Sequence, residues 1–457
     1  MEWEKTYHSS ILHACCLGQH FLILNSLDDA EVLLDKRADM YSDRPDIPVI
    51  DKMGWSINMT FMRHRSDRWR KHRRFAQQNF RQDAVSAYHE IQTRHAHVML
   101  KGLLDTPECF EDHNKAFSVG VSMSIMYGNN INTSDDSYSR AAYDAAFMAF
   151  KLMLPTFTLL NFFPALSYIP AWFPMAVAQR MVRDTKRLTG MLAATPIEAV
   201  KNKLINGEAD PCIVSRFLEA EDDSEEREDI ISGVSFTVYT AASDTTISAT
   251  STFLYLMATH PEIQEKAQAE IDRVVGVDQL PGFEDRHSLP YIDAIYREVL
   301  RWKPPTPIGI PHRAEKDDIY KGYYIPEGTV VISNIWAMVR DEKTYPEAKI
   351  FKPERFIGAN GELTNDDRVL TSGFGRRVCV GKHVASASLW IAFVSILATF
   401  NITKAKDADG RDIEVNDEYY DTGIMVHKKP FKCSILPRSR VSQTLIQQAM
   451  DVDRLQS

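Results

Sequence analysis

Several absences narrow the field first. The six cysteines, Cys15, Cys16, Cys109, Cys212, Cys379 and Cys433, are scattered along 457 residues. That is no disulfide framework, so a reducing, intracellular setting is expected. No excess of positive charge exists either. Lys and Arg number 53 against 62 Asp and Glu, for a net charge of −9. A global basic field for nucleic acid is thereby excluded. No signal peptide is visible. The longest apolar stretch, Ala145 to Val177, is cut by Pro155, Pro164, Pro170 and Pro174. A spanning helix needs roughly 20 uninterrupted apolar residues, so this stretch is not expected to cross a membrane. Repeats, low-complexity tracts and flexible linkers are also missing, which suggests one catalytic domain over 1–457 with a polar tail at 441–457.

What is present reads as a mainly α chain with a smaller β portion (α+β). The segments "ILHACCL" and "HFLILN" suggest two strands around a turn at Gly18, and Ser26 with Asp29 resembles a capping box. From about residue 60 to 275 the pattern is helical. Pro261 opens one such helix, Ile263, Ala267, Ile271 and Val274 give it an apolar face, and Gly276 ends it. "IYKGYYIP" and "TVVISNIWAMV" read as strands around "EG", and 383–400 as a helix. The run "EAEDDSEEREDI" reads as a solvated loop leading into a helix.

Cys379 lies in "SGFGRRVCVGKHVA" with no metal-ligand partner at zinc spacing. Gly373, Gly375 and Gly381 allow tight backbone shapes and close approach to something flat. Arg377 offers a guanidinium for a carboxylate. A helix opens just after the cysteine, and its free amides favour a thiolate. A lone thiolate beside an arginine suits a metal carried in a larger cofactor, of which haem iron is the obvious case.

The loop is similar to the haem-binding loop of the cytochrome P450 monooxygenases, FxxGxRxCxG. Gly375, Arg377, Cys379 and Gly381 match, and Ser372 stands where the family has Phe. Five further features follow in the family's order. In "YREVLRW" and "FKPERF", Glu298, Arg301 and Arg355 resemble the family's structural salt-bridged triad. In "TAASDTTISATS", Ala241, Asp244, Thr245 and Thr246 match [AG]Gx[DE]T[TS], with Ala242 in place of Gly. The resemblance makes Thr245 the orderer of a water and Asp244 the relay of protons. In "RHRSDRWRKHRR", Trp69 and Arg73 match the WxxxR that holds a haem propionate, and the remaining cations imply a basic face for an acidic electron donor. His312 in "PHRAEKDD" matches the supporter of the other propionate. "YSDRP" and "FKCSILPRS" look like fungal members active in secondary metabolism.

The resemblance, covering about 10–440, implies the cytochrome P450 fold and a haem b monooxygenase with Cys379 as iron ligand. It implies NADPH–cytochrome P450 reductase as partner, its acidic FMN domain on the basic face. It also implies an apolar small molecule such as a terpenoid or polyketide intermediate. Val238, Ala241, Ile308, Ile310, Ile424 and Met425 are the expected pocket walls. Eukaryotic relatives begin with a membrane helix that does not appear here. The expected location is the cytoplasmic face of the endoplasmic reticulum if an anchor has been lost, and the soluble cytoplasm otherwise. "FFPALSYIPAWFPM" is expected to touch the membrane surface. A haem-thiolate enzyme that rearranges hydroperoxides without a reductase, a haem-binding sensor, and a nucleic-acid binder using 63–74 are the competing classes. The intact Asp244–Thr245 pair favours the monooxygenase.

Overall fold

The computed structural model describes residues 2–128, 137–154, 158–220, 225–421 and 423–456. Its long helices, in chain order, are α1 (Asp67–Phe80), α2 (His89–Asp105), α3 (Phe110–Tyr127), α4 (Ser137–Met153), α5 (Val177–Asn206), α6 (Glu225–Thr259), α7 (Pro261–Val274), α8 (Pro290–Trp302), α9 (Lys382–Thr399) and α10 (Arg440–Gln456). Short strands form small sheets: β1 (Ile11–Cys16), β2 (Gln19–Leu24), β3 (His312–Arg313), β4 (Asp318–Tyr320), β5 (Tyr323–Ile325), β6 (Val330–Ser333), β7 (Phe400–Lys404), β8 (Tyr419–Asp421), β9 (Val426–Lys428) and β10 (Cys433–Pro437). The mainly α class with a smaller β portion is what the chain adopts.

The centre is built on α6 and α9. Both are apolar on most of their circumference, and a helix of that kind must be enclosed. Phe253 of α6 stacks on Phe393 of α9 at 3.9 Å, and both rings are buried. Trp390 of α9 is also fully buried. Each such side chain contributes about 1.5–3 kcal/mol on leaving water. By length and composition α9 is apolar enough to cross a membrane, but 67% of that window is buried inside the protein, as befits a core helix. Among the described residues no other helix passes that test.

The largest sheet has the order β1-β2-β6-β3. The β1–β2 hairpin turns at Leu17–Gly18, as the sequence indicated. β2 runs parallel to β6, and β6 pairs antiparallel with β3, setting His312 opposite Val331. This register delivers His312 to the functional site.

Three local expectations need correction. "IYKGYYIP" is not one strand but the whole β4–β5 hairpin, with Tyr320 opposite Tyr323. Lys321 and Gly322 both have positive φ, 50° and 82°, as a two-residue hairpin turn requires. After β6, Asn334 caps a single helical turn, Ile335–Met338, so "NIWAM" is not strand. Ser26 makes no capping bond. Asp29 instead turns inward and accepts from Ser10, Tyr320 and Lys321 at 2.8, 2.8 and 2.6 Å.

Helix α7 starts at Pro261 as expected, and Gly276 just beyond it has φ 100°. The polar segment 441–457, which the sequence marks only as a tail, is helical through Gln456. Ile446 is fully buried and His97 meets Asp453 at 2.9 Å. Of the acidic run at 219–230, residues 221–224 lie outside the described residues, as does Pro155; from Glu225 the run is helix α6.

Candidate functional site

A cavity of about 330 Å³ lies between α6, α1 and the cysteine loop. One wall is cationic. Trp69 and Arg73 come from α1, Arg377 from the loop before Cys379, His312 from β3, and Arg44 from "YSDRP". Arg377 donates to the carbonyls of Ser42 (2.7 Å) and Met62 (2.6 Å) and lies 4.5 Å over the Trp69 ring. Arg44 donates to the carbonyls of Thr60 (2.9 Å), Ile310 (2.7 Å) and Pro311 (2.8 Å). Arg73 donates to the Val378 carbonyl at 2.6 Å.

Among the described residues these three guanidiniums have no carboxylate in salt-bridge contact. Arg73 Nε and Arg377 Nη1 are buried with no hydrogen-bond partner. Burial pushes the pKa of Arg377 down to about 10, with Asp43 raising it and Arg73 lowering it further. Burial also lowers those of Arg73 and, further, Arg44. His312 donates from Nδ1 to the Tyr41 carbonyl at 2.7 Å, and burial, then Arg44, hold its pKa well below the usual histidine range. Buried donors without acceptors cost about 1–3 kcal/mol each, and more when charged. An anion in the cavity would relieve that cost.

The cysteine loop is shaped by Gly375. Its φ is 55°, and a Cβ there would come within 2.0 Å of the Leu34 carbonyl oxygen, so no other residue fits. The loop closes with the Cys379 N–H donating to the Ser372 carbonyl at 2.8 Å. Cys379 is exposed and lines the cavity. Burial raises its thiol pKa, against the opposing pull of the Gly381 N–H, Arg73 and Lys382. The sequence suggested that the helix start alone would favour a thiolate. Desolvation outweighs that pull, and a bound cation would favour the thiolate again.

The opposite wall is α6. Asp244 and Thr245 both face the cavity. Thr245 donates to the Ala241 carbonyl at 3.0 Å, the ordinary back-bond of a helical threonine. From α3, the Ser118 hydroxyl approaches the carbonyls of Ala242 and Ser243, at 3.2 and 2.7 Å. Val238, Ala241, Ile310, Ile424 and Met425 line the cavity as expected. Ile308 does not: it is 37% exposed on the surface. Gly309, at φ 59°, turns the chain between Ile308 and Ile310 and sends the two side chains to different places.

Behind the loop, Glu298 is fully buried and Arg301 nearly so. Arg301 grips the carboxylate with two bonds of 2.6 and 2.8 Å, and Arg355 adds a third at 3.1 Å. The Lys352 N–H adds a fourth at 2.8 Å. The three residues meet as the sequence resemblance implied.

The basic run does not form a free positive patch. Arg63 pairs with Asp43 and Asp46, Arg65 with Glu315 and Asp39, Arg68 with Asp229, Arg70 with Asp67 and Lys71 with Glu226. Four of these five are neutralised by acidic side chains from other elements, and Arg70 by Asp67 of its own helix. Arg74 is exposed and, among the described residues, has no ion-pair partner. Sequence reasoning missed Arg44 as a cavity residue. The quoted "YSDRP" held it, but only the fold turns it inward.

A flat, metal-bearing group with carboxylates fits these residues: a lone thiol on one side, unpaired buried guanidinium atoms at its edge, and apolar walls above. Comparison with known proteins agrees. The Cytochrome P450 family model matches residues 1–435. The chain is 38% identical to "Cytochrome P450 monooxygenase COX2" of Coprinopsis cinerea, over 97% of this chain and 86% of that protein. It is 36% identical to "Cytochrome P450 monooxygenase 136" of Postia placenta, over 98% and 85%. It is 33% identical to the "Tryptamine 4-monooxygenase" of Psilocybe cyanescens, over 96% and 88%. That family uses haem held by a cysteine thiolate, a redox partner and a small-molecule substrate.

Proposed function

The chain belongs to the cytochrome P450 family, and on that premise we propose that it is a fungal haem-thiolate monooxygenase of secondary metabolism. It takes two electrons from NADPH through a separate reductase and places one atom of dioxygen into an apolar small molecule, by hydroxylation or epoxidation. A terpenoid or polyketide intermediate suits the walls. The observation that carries this reading is one cavity holding both Cys379 and the unpaired guanidinium atoms of Arg73 and Arg377.

Haem b, when bound, supplies an iron that activates dioxygen. The protein does the rest. Cys379 would hold the iron through its thiolate. Trp69, Arg73 and Arg377 would hold the carboxylates, and His312 would offer Nε2, since its Nδ1 is committed to Tyr41. Glu298, Arg301 and Arg355 keep the cysteine loop's support rigid. Thr245 positions a water in the cavity, its hydroxyl leaving the Ala241 carbonyl to do so. Asp244 carries protons into a cavity that is otherwise apolar on that side. Val238, Ala241, Ile310, Ile424 and Met425 exclude water and orient the substrate.

We place the acidic FMN domain of the reductase over the cysteine loop, where Arg74 and Lys382 are exposed. The whole chain acts as one catalytic domain. We place it at the cytoplasmic face of the endoplasmic reticulum, with Tyr168, Trp172 and Met175, each at least 79% exposed, as a peripheral membrane contact. The test is turnover with reductase and NADPH under labelled dioxygen. One labelled atom per product supports the reading. Turnover of a hydroperoxide with no NADPH consumed supports the rearranging enzyme instead.

A further inference from the structure

β9 carries a histidine that the site described so far does not use. His427 is buried, and its Nε2 lies 3.2 Å from Asp244 Oδ1. The approach lacks hydrogen-bond angles, and Nε2 has no other partner among the described residues. Asp244 has no other salt bridge there either, and its carboxylate is 14% exposed.

The surroundings aim the ring. Val426, the preceding residue, donates its N–H to the Pro305 carbonyl at 3.0 Å. Its carbonyl accepts from the Ser248 hydroxyl at 2.6 Å. Ser248 is one helical turn beyond Asp244 on the same face of α6, so β9 is laced to α6 right beside the acid. Tyr420, opposite His427 in β8, stacks on the imidazole at 5.2 Å and 19°. Lys428 alternates to the other face and bonds the carbonyls of Asn416 and Glu418 at 2.8 and 3.0 Å. Asp421, across from Val426, is exposed. The charge facing His427 is therefore that of Asp244.

A carboxylate at the edge of an apolar cavity, with no other ion-pair partner among the described residues, can turn freely. An imidazole fixed 3.2 Å away gives it one preferred orientation. We propose that His427 is the positioning residue of Asp244: it holds that carboxylate in the orientation from which it exchanges a proton with the cavity. The inference rests on the proton-carrying role proposed for Asp244.

The test uses the reduced, carbon monoxide-bound holoprotein with labelled histidine. Nuclear magnetic resonance follows the His427 ring, assigned by its loss in His427→Gln. The Nε2 resonance of that ring is expected to differ between the parent and Asp244→Asn, because only the parent sets a carboxylate 3.2 Å from it. Equal values in the two proteins would overturn the inference. Turnover supplies a second readout. His427→Gln and Asp244→Asn should each lower product per NADPH about fivefold, roughly 1 kcal/mol of coupling, with substrate KM unchanged. The double variant should be no worse than either.

If Asp244→Asn couples normally, the role of Asp244 fails and this inference with it. If Asp244→Asn uncouples and His427→Gln does not, only the inference fails. Should His427→Gln lose haem, the comparison of the ring resonance between the parent and Asp244→Asn still decides.

Discussion

Arg301 and Arg355 are buried against a carboxylate of their own chain, whereas Arg44, Arg73 and Arg377 meet none among the described residues. In the first group Glu298 receives three arginine bonds and a backbone N–H, and every charge is answered. In the second, guanidiniums lean on carbonyls, and Arg73 Nε and Arg377 Nη1 stay unpaired. The same residue type thus does two jobs. A closed ion network fixes a fold by itself. An open one is complete only when something anionic arrives, and it marks the place where that happens.

Breaking the closed network should have the largest effect. Glu298→Ala leaves two buried guanidiniums without a counter-charge, at an expected cost of about 3–5 kcal/mol. Urea unfolding checks this, and a loss below 1 kcal/mol would show that the network is not closed in solution. Breaking the open one should act differently. Arg73→Leu should leave the unfolding free energy of the cofactor-free chain within about 1 kcal/mol, since it removes an unsatisfied charge. Haem should nonetheless leave it about tenfold faster, the worth of one charge-assisted bond. Transfer of haem to an acceptor globin measures that rate. Equal rates would make Arg73 structural, like Arg301. The smallest effect is expected at Ser372, which borders the cavity beside the thiol. Ser372→Phe should shield the sulfur and slow, about twofold to threefold (under 1 kcal/mol), the decay of the thiolate-ligated reduced state. Decay as fast as the parent's would contradict this.

The sequence showed the parts of both networks but not the difference between them. Glu298 and Arg301 are three apart on a helix, which is legible; that Glu298 is fully buried is not, because burial depends on α8 meeting the distant "FKPERF" segment. Cys379, Arg377 and the glycines could be read because tight backbone geometry leaves its mark locally, as Gly375 against Leu34 shows. Arg44 could not, since only tertiary packing turns it toward Arg73 and Arg377. His427 was silent for the same reason: β9 reaches α6 across 183 positions of chain, and no spacing records that (427 − 244). The basic run misled because four of its seven cations find acids outside it, among them Asp229 and Glu315, and Arg70 pairs with Asp67 within it. Ile308 misled because one glycine with positive φ redirects the chain.

The central claim is that the open arginine group and Cys379 frame one haem-thiolate site, and the carbon monoxide difference spectrum of the reduced protein tests it most directly. The account predicts a strongly red-shifted Soret band that disappears in Cys379→Ala. A protein that takes up no haem, or one whose band is the same with and without Cys379, would contradict it.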